Sequence, residues 1–471
     1  MSKIATLAQH LVLPKYMIHD DKKLANDFGA REMYGKFVRI AWPALVESVL
    51  LGIISFVDSL MVSTCGDEAI AAVGITGQPR LLFYVVLMAF STGVNAVVAR
   101  RRGEGRRDAA NRTLAQTLPI MVILATAFFG IGYVVSEPLL LFAGANDDTI
   151  GMAIPYFRII MFGQIFTAVS LCLNAAQRGC GKTSISMITS VSANVVNVIF
   201  NALLINGLFF FPKLGVTGAA IATAMGNFVA AVIAVISVTR KNGYLKLRIK
   251  EMFCHRFDTF PAVLKVVIGS SAEQVFLRIG FFLFVKMVAE LSTQDYTTHT
   301  ICMNVLNLSF TVGDGLGIAS ASLVGQHLGM GRPDKAVVYG KVGQRIGFCF
   351  GVGLLVLFSA YGAGVVEWFS DTEYVIKTGA VLMRVLAVVC PLQISQVVFS
   401  GCLRGAGDTK YMAVVSAISV AMIRPALSYL LIYTANIGVL GAWIALLVDQ
   451  ILRCTFATTR FYGQKWCQIQ L

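Results

Sequence analysis

Long apolar segments alternate with short polar connectors along almost the whole chain. Twelve of these segments contain the roughly 20 mostly apolar residues that a helix needs to cross a bilayer. The segments lie at roughly 37–62, 75–99, 113–136, 151–175, 184–207, 217–238, 263–290, 300–325, 339–362, 376–400, 411–434 and 438–459. Their apolar runs are continuous, whereas the strands of a membrane barrel alternate between apolar and polar residues. The pattern therefore predicts an all-α integral membrane protein.

The composition agrees with a lipid environment. Apolar residues make up 56% of the chain and charged residues only 14%, whereas soluble domains carry about 25% charged residues. So little charge excludes a water-soluble surface, and so many apolar residues exclude an intrinsically disordered chain. The formal net charge of +14 comes from Lys and Arg in the connectors, without the interleaved aromatic residues of a nucleic-acid site. We expect no nucleic-acid partner.

The positive charges occupy every second connector. Arginines cluster between 100 and 112, after the second segment, and Lys and Arg recur between 240 and 256, after the sixth. The intervening connectors are acidic, for example at Asp147 and Asp148. Because Lys and Arg accumulate on the cytoplasmic side of a membrane, we predict a multi-pass protein of the cell (inner) membrane with both termini in the cytoplasm.

The second half of the chain repeats the first. A shift of 226 residues aligns residues 40–207 with the second half without a gap, so that Glu47 meets Glu273 and Arg178 meets Arg404. After a gap of three residues, Gly215 meets Gly438. Each repeat contains six predicted spans, an even number, so the repeats are related by an axis along the membrane normal. The predicted fold is therefore twelve transmembrane helices in two pseudo-symmetric six-helix bundles around a central cleft.

The domain boundaries follow from the same pattern. We predict a cytoplasmic N-terminal arm at 1–36 and an N-terminal bundle at 37–238. A polar, basic linker at 239–262 leads to a C-terminal bundle at 263–459 and a cytoplasmic tail at 460–471.

Several short motifs occur in a characteristic order along this duplicated chain. They are Pro43, Glu47 and Asp58 in the first segment, Ala71-Ala72-Val73-Gly74 after it, Gly325-Gln326-x-x-Gly329-x-Gly331 after the eighth segment, and Arg404-Gly405-Ala406-Gly407-Asp408-Thr409 after the tenth. Together with the twelve spans, this set resembles the multidrug and toxic compound extrusion (MATE) transporters of the MOP superfamily. The sequence looks nearest to their DinF-like branch.

The resemblance implies a secondary active antiporter for multidrug efflux, which exports amphipathic, cationic compounds in exchange for H⁺ or Na⁺ by alternating access. It implies no enzymatic activity and no cofactor beyond the coupling ion. The expected partners are drug-like small molecules and membrane lipids, and we expect the monomer to be functional.

Two other functions are alternatives to export. A flippase for lipids or lipid-linked saccharides, from the same superfamily, would need a strongly cationic cavity, and the first half of the chain offers carboxylates instead. An integral-membrane enzyme would need a nucleophile–base pair or metal-ligand spacing within the spans, and the sequence has neither.

Asp58 is the strongest candidate for ion coupling. It is an acid inside a predicted span, which favours a functional role, and its counterpart in the second half is Phe284. Asn194, Asn197 and Asn201 follow at i, i+3 and i+7 on one face of the fifth helix, and the resemblance implies that the residue matching Asn197 belongs to the coupling network. We predict that Asp58, Asn197 and Asn201 couple the ion, with Asp58 as a candidate Na⁺ ligand and no other metal site.

Other polar residues inside the spans are candidates for binding substrate. They are Glu47, Asn194, Glu273, Arg278, Asp314 and Arg424. Buried charges of both signs are usually paired, so structural salt bridges and substrate contact both remain open for these residues.

Overall fold

The computed structural model describes residues 29–207, 211–240, 243–247, 252 and 258–471. The described chain is built from twelve long helices. They are α1 (Ala30–Ser63), α2 (Asp67–Gly103), α3 (Arg107–Val134), α4 (Asp147–Gly179), α5 (Thr183–Asn206), α6 (Gly215–Thr239), α7 (Phe260–Ala289), α8 (Thr293–Gly329), α9 (Pro333–Glu367), α10 (Glu373–Ala406), α11 (Thr409–Thr434) and α12 (Val439–Tyr462). A short helix at Ser136–Phe142 precedes α4, and a 3₁₀ turn at Lys465–Gln468 follows α12.

The long helices are suited to span a membrane. Within the described residues, ten of them are long and apolar enough to cross a membrane. Helices α1 and α7, with 34 and 30 residues, are also longer than a bilayer requires. Several helices extend beyond their apolar segments. Helix α2, for example, ends on Arg100, Arg101 and Arg102, where cations interact favourably with the helix dipole. The predicted all-α fold with twelve transmembrane helices is confirmed.

The N-terminal boundary differs in detail from the sequence pattern. Helix α1 begins at Ala30, within the segment predicted as an arm, because its first turns are polar and carry no hydropathy signal. Residues 1–28 and part of the linker lie outside the described residues. The predicted domain boundaries therefore stay predictions.

The chain divides into two compact units. One contains Val46–Val267, and the other contains Ile268–Leu471 together with residues 29–45. The core of the first unit includes Leu87, Leu114 and Leu173, and the largest core of the second surrounds Trp443. Apart from the first parts of α1 and α7, each unit contains the six long helices of one repeat, in agreement with the duplication.

Close helix packing in the second unit depends on small residues. A Cβ atom on Gly401 of α10 would lie 2.4 Å from the backbone oxygen of Gly317 in α8. Small residues of this kind let helix backbones approach in a membrane, where no hydrophobic force draws helices together.

Helix α11 is not a regular α-helix. π-Helical segments at Ala417–Ile423 and Leu430–Thr434 flank a short α-helical piece that begins at Arg424. The corresponding helix of the first half, α5, is α-helical throughout. π-Helical segments are rare and frequently occur at functional sites.

Candidate ion-coupling site

Asp58 lies half-buried on α1 and is hydrogen-bonded to α5. The Nδ2 atom of Asn201 donates to Asp58 Oδ1 at 2.5 Å. Asn197, one turn earlier on α5, fits its surroundings best when its Nδ2 donates to the same oxygen at 2.7 Å and its Oδ1 accepts from the Thr223 backbone N–H at 3.3 Å. Both asparagines are buried. The structure thus places the three residues predicted for ion coupling in one cluster, with Thr223 of α6 beside them.

Helical spacing explains why two asparagines reach one carboxylate. Asn197 and Asn201 are four residues apart, so their side chains lie one above the other on one helix face. Asn194, the third amide of that face, makes no described hydrogen bond through its buried Nδ2 atom. Of the predicted amide stripe, only the last two members contact Asp58.

Two further residues belong to the surroundings of Asp58, and sequence reasoning missed both. The guanidinium of Arg80 on α2 interacts electrostatically with Asp58, and the buried Tyr156 of α4 interacts with both of these residues. Arg80 could have been found, because it is a cation inside a predicted span. Tyr156 and Thr223 carry no comparable signal, since hydroxyl side chains are common in membrane helices.

The chemistry of this cluster suits a proton or a small hard cation. The Asp58 carboxylate can take up a proton directly. Hard cations prefer oxygen ligands, so for Na⁺ the two amides, which donate to Asp58 through Nδ2, would have to turn their oxygens toward the ion. Arg80 is a second positive charge near Asp58. A bound cation would therefore compete with Arg80 for the Asp58 carboxylate. The cluster needs no residue from outside Val46–Val267.

Glu47 has a different environment, although it lies on the same helix as Asp58. Its Oε1 atom accepts hydrogen bonds from Ser186 at 2.9 Å and Ser190 at 2.7 Å. The same oxygen lies 3.7 Å from Nη1 of Arg178, at the end of α4. Because Glu47 is buried and these contacts join α1 to α4 and α5, they favour a structural role for Glu47.

Glu273 occupies the matching place in the second half and makes the matching ion pair. Arg404 donates to its two carboxylate oxygens at 2.6 and 3.2 Å. The sequence alignment pairs these acids with each other and these arginines with each other, yet it gives no sign that acid and arginine are in contact. The sequence repeats both the glutamate and the arginine, but only the structure shows that the two residues form an ion pair.

The remaining predicted substrate residues are spread over the second unit. Asp314 is exposed on α8 and interacts electrostatically with Arg404. Arg278 is exposed on α7. Arg424 is fully buried and forms an ion pair with Asp449 of α12, an acid that sequence reasoning missed. The six predicted substrate residues therefore do not form one group.

Asp449 could have been recognised from the sequence. It lies inside the last predicted span, four residues before Arg453, and an ion pair at that spacing joins neighbouring turns of one helix face. Arg453 does lie 3.1 Å from Asp449. No role of any predicted site residue is tested by these placements.

Comparison with known proteins agrees with the duplicated fold. The MatE family model matches the chain twice, at residues 43–203 and 270–430. Among curated relatives, a probable multidrug resistance protein NorM from Thermotoga maritima is 25% identical over 92% of this chain and 93% of its own length. The uncharacterized transporter YisQ from Bacillus subtilis is 24% identical over 91% of this chain and 94% of its own length.

Solved structures share the fold. One is an outward-facing multidrug resistance MATE family transporter of the MOP superfamily, with a TM-score of 0.85 and 19% identity over 92% of this chain and 97% of that one. Another is a MOP superfamily transporter from Pyrococcus furiosus, described as having a binding pocket of reverse polarity. It has a TM-score of 0.84 and 19% identity over 94% of this chain and 100% of that one.

The family match extends over both halves, and the relatives are matched over nearly their full length. Members of this family are transporters and not enzymes, as predicted. The expected placement in the DinF-like branch stays a prediction. With its duplicated membrane-spanning helices and two matches to the family model, the chain belongs to the MATE family of membrane transporters.

Proposed function

We propose that this protein is a multidrug efflux antiporter, which exports amphipathic, cationic small molecules in exchange for H⁺ or Na⁺. The names of its relatives support multidrug efflux. The observation that carries the coupling is the position of Asp58, a carboxylate within a span, hydrogen-bonded by two amides of α5. Asp58 would take up the coupling ion from outside and release it inside as the protein alternates between states.

The proposal extends to partners and location. The protein would act as a monomer surrounded by lipid in the cell (inner) membrane, with both termini in the cytoplasm, as the Lys and Arg distribution indicates. It would need no cofactor beyond the coupling ion. Glu47 and Glu273 would mainly hold their units together, since each is already occupied by an arginine.

A flippase for lipid-linked saccharides remains the second candidate. It would require a strongly cationic cavity to hold a pyrophosphate. Among the described residues the Asp58 cluster carries a carboxylate and one arginine, so it offers no excess of positive charge. Export of cations agrees better with this cluster.

Transport in proteoliposomes tests the proposal directly. Proton and sodium gradients are imposed separately, and movement of a fluorescent organic cation such as ethidium is followed for the wild type and for Asp58→Asn. We expect the substitution to abolish gradient-driven transport, because it keeps the side-chain volume and removes the charge change. Glu373→Gln is the matched control, since Glu373 is an exposed acid whose ion pair within the described part of the chain is with Lys377.

Full gradient-dependent transport by the Asp58→Asn protein would move the coupling site away from Asp58. The response to each gradient in the wild type identifies the coupling ion. Absence of transport under both gradients, with intact folded protein, would favour the flippase, which can be assayed with a fluorescent lipid.

A further inference from the structure

A second charged cluster lies in the other half of the chain, where the proposed coupling mechanism makes no use of it. It consists of Arg424 on α11 and of Asp449 and Arg453 on α12. The exposed fractions of these residues are 1%, 0% and 3%. Within the described residues the ion pairs of both arginines involve only Asp449, so the cluster contains one more positive charge than negative charges.

The hydrogen bonds of the cluster are incomplete. Arg424 donates to Asp449 Oδ2 through Nε at 3.1 Å and also through Nη2. Nη2 of Arg453 lies 3.1 Å from the same oxygen but is not aligned for a hydrogen bond. Ser419 donates to the other oxygen, Oδ1. Nη1 of Arg424 and both Nε and Nη2 of Arg453 are buried without a hydrogen-bond partner among the described residues.

Such a cluster is costly in a membrane protein. A buried charge without a countercharge is strongly unfavourable, and each buried N–H without an acceptor adds the cost of its lost hydration. Aromatic rings offset part of this cost, since the guanidinium of Arg424 lies 4.7 Å from the ring of Phe281 and 5.5 Å from that of Phe284. Water could accept hydrogen bonds from the unpartnered N–H groups, but it would not neutralise the excess positive charge of the two arginines. A small anion would satisfy both needs.

The surroundings supply more unpartnered donors. Oγ of Ser428, one turn after Arg424, and Nε1 of Trp443 are buried without described partners. Trp443 reaches the cluster through His299, whose ring lies 5.9 Å from the indole and 5.4 Å from Phe284. One π-helical segment of α11 ends at Ile423, next to Arg424, and the other begins at Leu430. An irregular helix, unpartnered donors and excess positive charge thus occur together.

We propose that Arg424 and Arg453 bind one small monovalent anion, a halide ion or the carboxylate group of a small molecule. Both guanidinium groups contact the same oxygen of Asp449, so their free N–H groups lie close together and can share one anion. The site lies wholly within the second unit. It is independent of Asp58, and it adds an anion to the species that this transporter handles.

Thermal unfolding of the purified, detergent-solubilised protein tests the anion site. At constant ionic strength, bulky gluconate is replaced stepwise by bromide. A ligand that binds only the folded state raises the unfolding midpoint until the site is saturated. We expect this saturating rise for the wild type and for Asp58→Asn, because the cation cluster is separate. A midpoint that responds to neither bromide nor a small carboxylate, or one that rises without saturation, would overturn the proposal.

Arg453→Gln is the informative variant, because the ion pair of Arg424 with Asp449 remains. We expect it to lose the dependence on bromide and to unfold at a higher temperature than the wild type in gluconate alone, since the excess charge is gone. A merely structural Arg453 predicts the opposite result, a lower midpoint with unchanged dependence on bromide. Arg460→Gln is the control on the same helix, because Arg460 is half-exposed and paired with Asp408.

The same titration with formate or acetate distinguishes the two sources of the anion. A saturating rise that Arg453→Gln removes would assign the site to carboxylate groups, and hence to anionic parts of transported molecules. A response to bromide alone would assign it to halide ions.

Discussion

The two halves of this transporter place different chemistry at corresponding positions. Asp58, Asn201 and Thr223 form a hydrogen-bonded cluster in the first half. The duplication maps them onto Phe284, Leu427 and Leu446. Phe284 and Leu446 belong to the apolar core around Trp443. The positions of Asp58 and Thr223, which belong to a candidate cation site in the first half, are therefore occupied by residues of an apolar core in the second half.

The reverse holds at a second pair of positions. Asp449 and Ser419, which are hydrogen-bonded in the second half, correspond to Gly226 and Ala193 in the first. There the helices are in tight contact, since a Cβ on Gly226 would lie 2.7 Å from the Ala193 backbone oxygen. Polar groups at equivalent helix contacts have thus diverged in opposite directions. The difference teaches that duplication conserved the helices while each half acquired its own charge.

One feature is shared by both halves. Glu47 in the middle of α1 pairs with Arg178 at the end of α4, and Glu273 in the middle of α7 pairs with Arg404 at the end of α10. A contact kept in both copies, despite divergence elsewhere, is best explained by the architecture that both copies share. It joins the first helix of each repeat to the end of the fourth.

The largest expected effect is that of Asp449→Asn. This substitution removes the only countercharge that the two buried arginines have among the described residues, and breaking a buried pair typically costs about 3–5 kcal/mol. We expect the unfolding midpoint in detergent and the amount of protein in the membrane to fall sharply. Glu373→Gln, which breaks an exposed pair, should change stability by less than about 1 kcal/mol. Equal stability of the Asp449→Asn protein and the wild type would show that the cluster is not charged as described.

A smaller effect should separate the two conserved ion pairs. Glu273 accepts two direct hydrogen bonds from Arg404, whereas Glu47 keeps two serine donors and a longer contact to Arg178. Glu273→Gln should therefore destabilise by about 2–4 kcal/mol and Glu47→Gln by about 1–2 kcal/mol. Denaturant or thermal unfolding of both variants checks the order. Loss of transport with unchanged stability in either variant would instead support substrate binding.

The sequence predicted the architecture better than the contacts. Hydropathy identifies the spans, because the bilayer sets their length. Lys and Arg counts indicate the orientation, because positive charge accumulates in the cytoplasmic connectors. Helical spacing and the family resemblance predict Asp58, Asn197 and Asn201 as one site, and the structure places the three side chains in contact, while their role in coupling stays a prediction. Asp449 and the Glu–Arg pairs were not recognised, because contacts between distant helices depend on packing that no local pattern records. The irregularity of α11 has one local sign, Pro425, which removes a backbone donor inside the predicted span, but this residue does not predict where the π-helical segments begin and end.

A moderate effect on transport should follow from making the first half resemble the second at one position. Asn201→Leu introduces the residue found at Leu427 and removes one amide from Asp58. Loss of a hydrogen bond to a charged group costs about 1.5–3 kcal/mol, so we expect ion-driven transport to fall by about tenfold or more. Asn201→Asp should keep transport and change its dependence on pH or Na⁺. Proteoliposome assays at matched protein content measure both variants.

The smallest expected effect concerns a contact that only the first half possesses. Gln116 of α3 donates to Asp258 of the linker at 2.8 Å and accepts from the Thr259 hydroxyl at 2.7 Å. The corresponding residue of the second half is Val342, which lies in an apolar core. The hydrogen bond from Gln116, with help from Arg112, lowers the pKa of Asp258 below its ordinary value of 3.8.

A lowered pKa means that the carboxylate form of Asp258 is favoured in the folded protein. Its contribution is present above pH 3.8 and is lost as the pH falls through the folded pKa. Because the Asp258 side chain is 49% exposed, the contribution should stay below about 1 kcal/mol. We expect the protection factors for hydrogen exchange at residues 258–263, which are corrected for the intrinsic pH dependence of exchange, to fall slightly below about pH 4 in the wild type. In the Gln116→Val protein, the amides of residues 258–263 should be less protected from hydrogen exchange at neutral pH. Their protection should also depend less on pH than in the wild type. If acidification affects both proteins equally at this segment, Gln116 does not hold the linker.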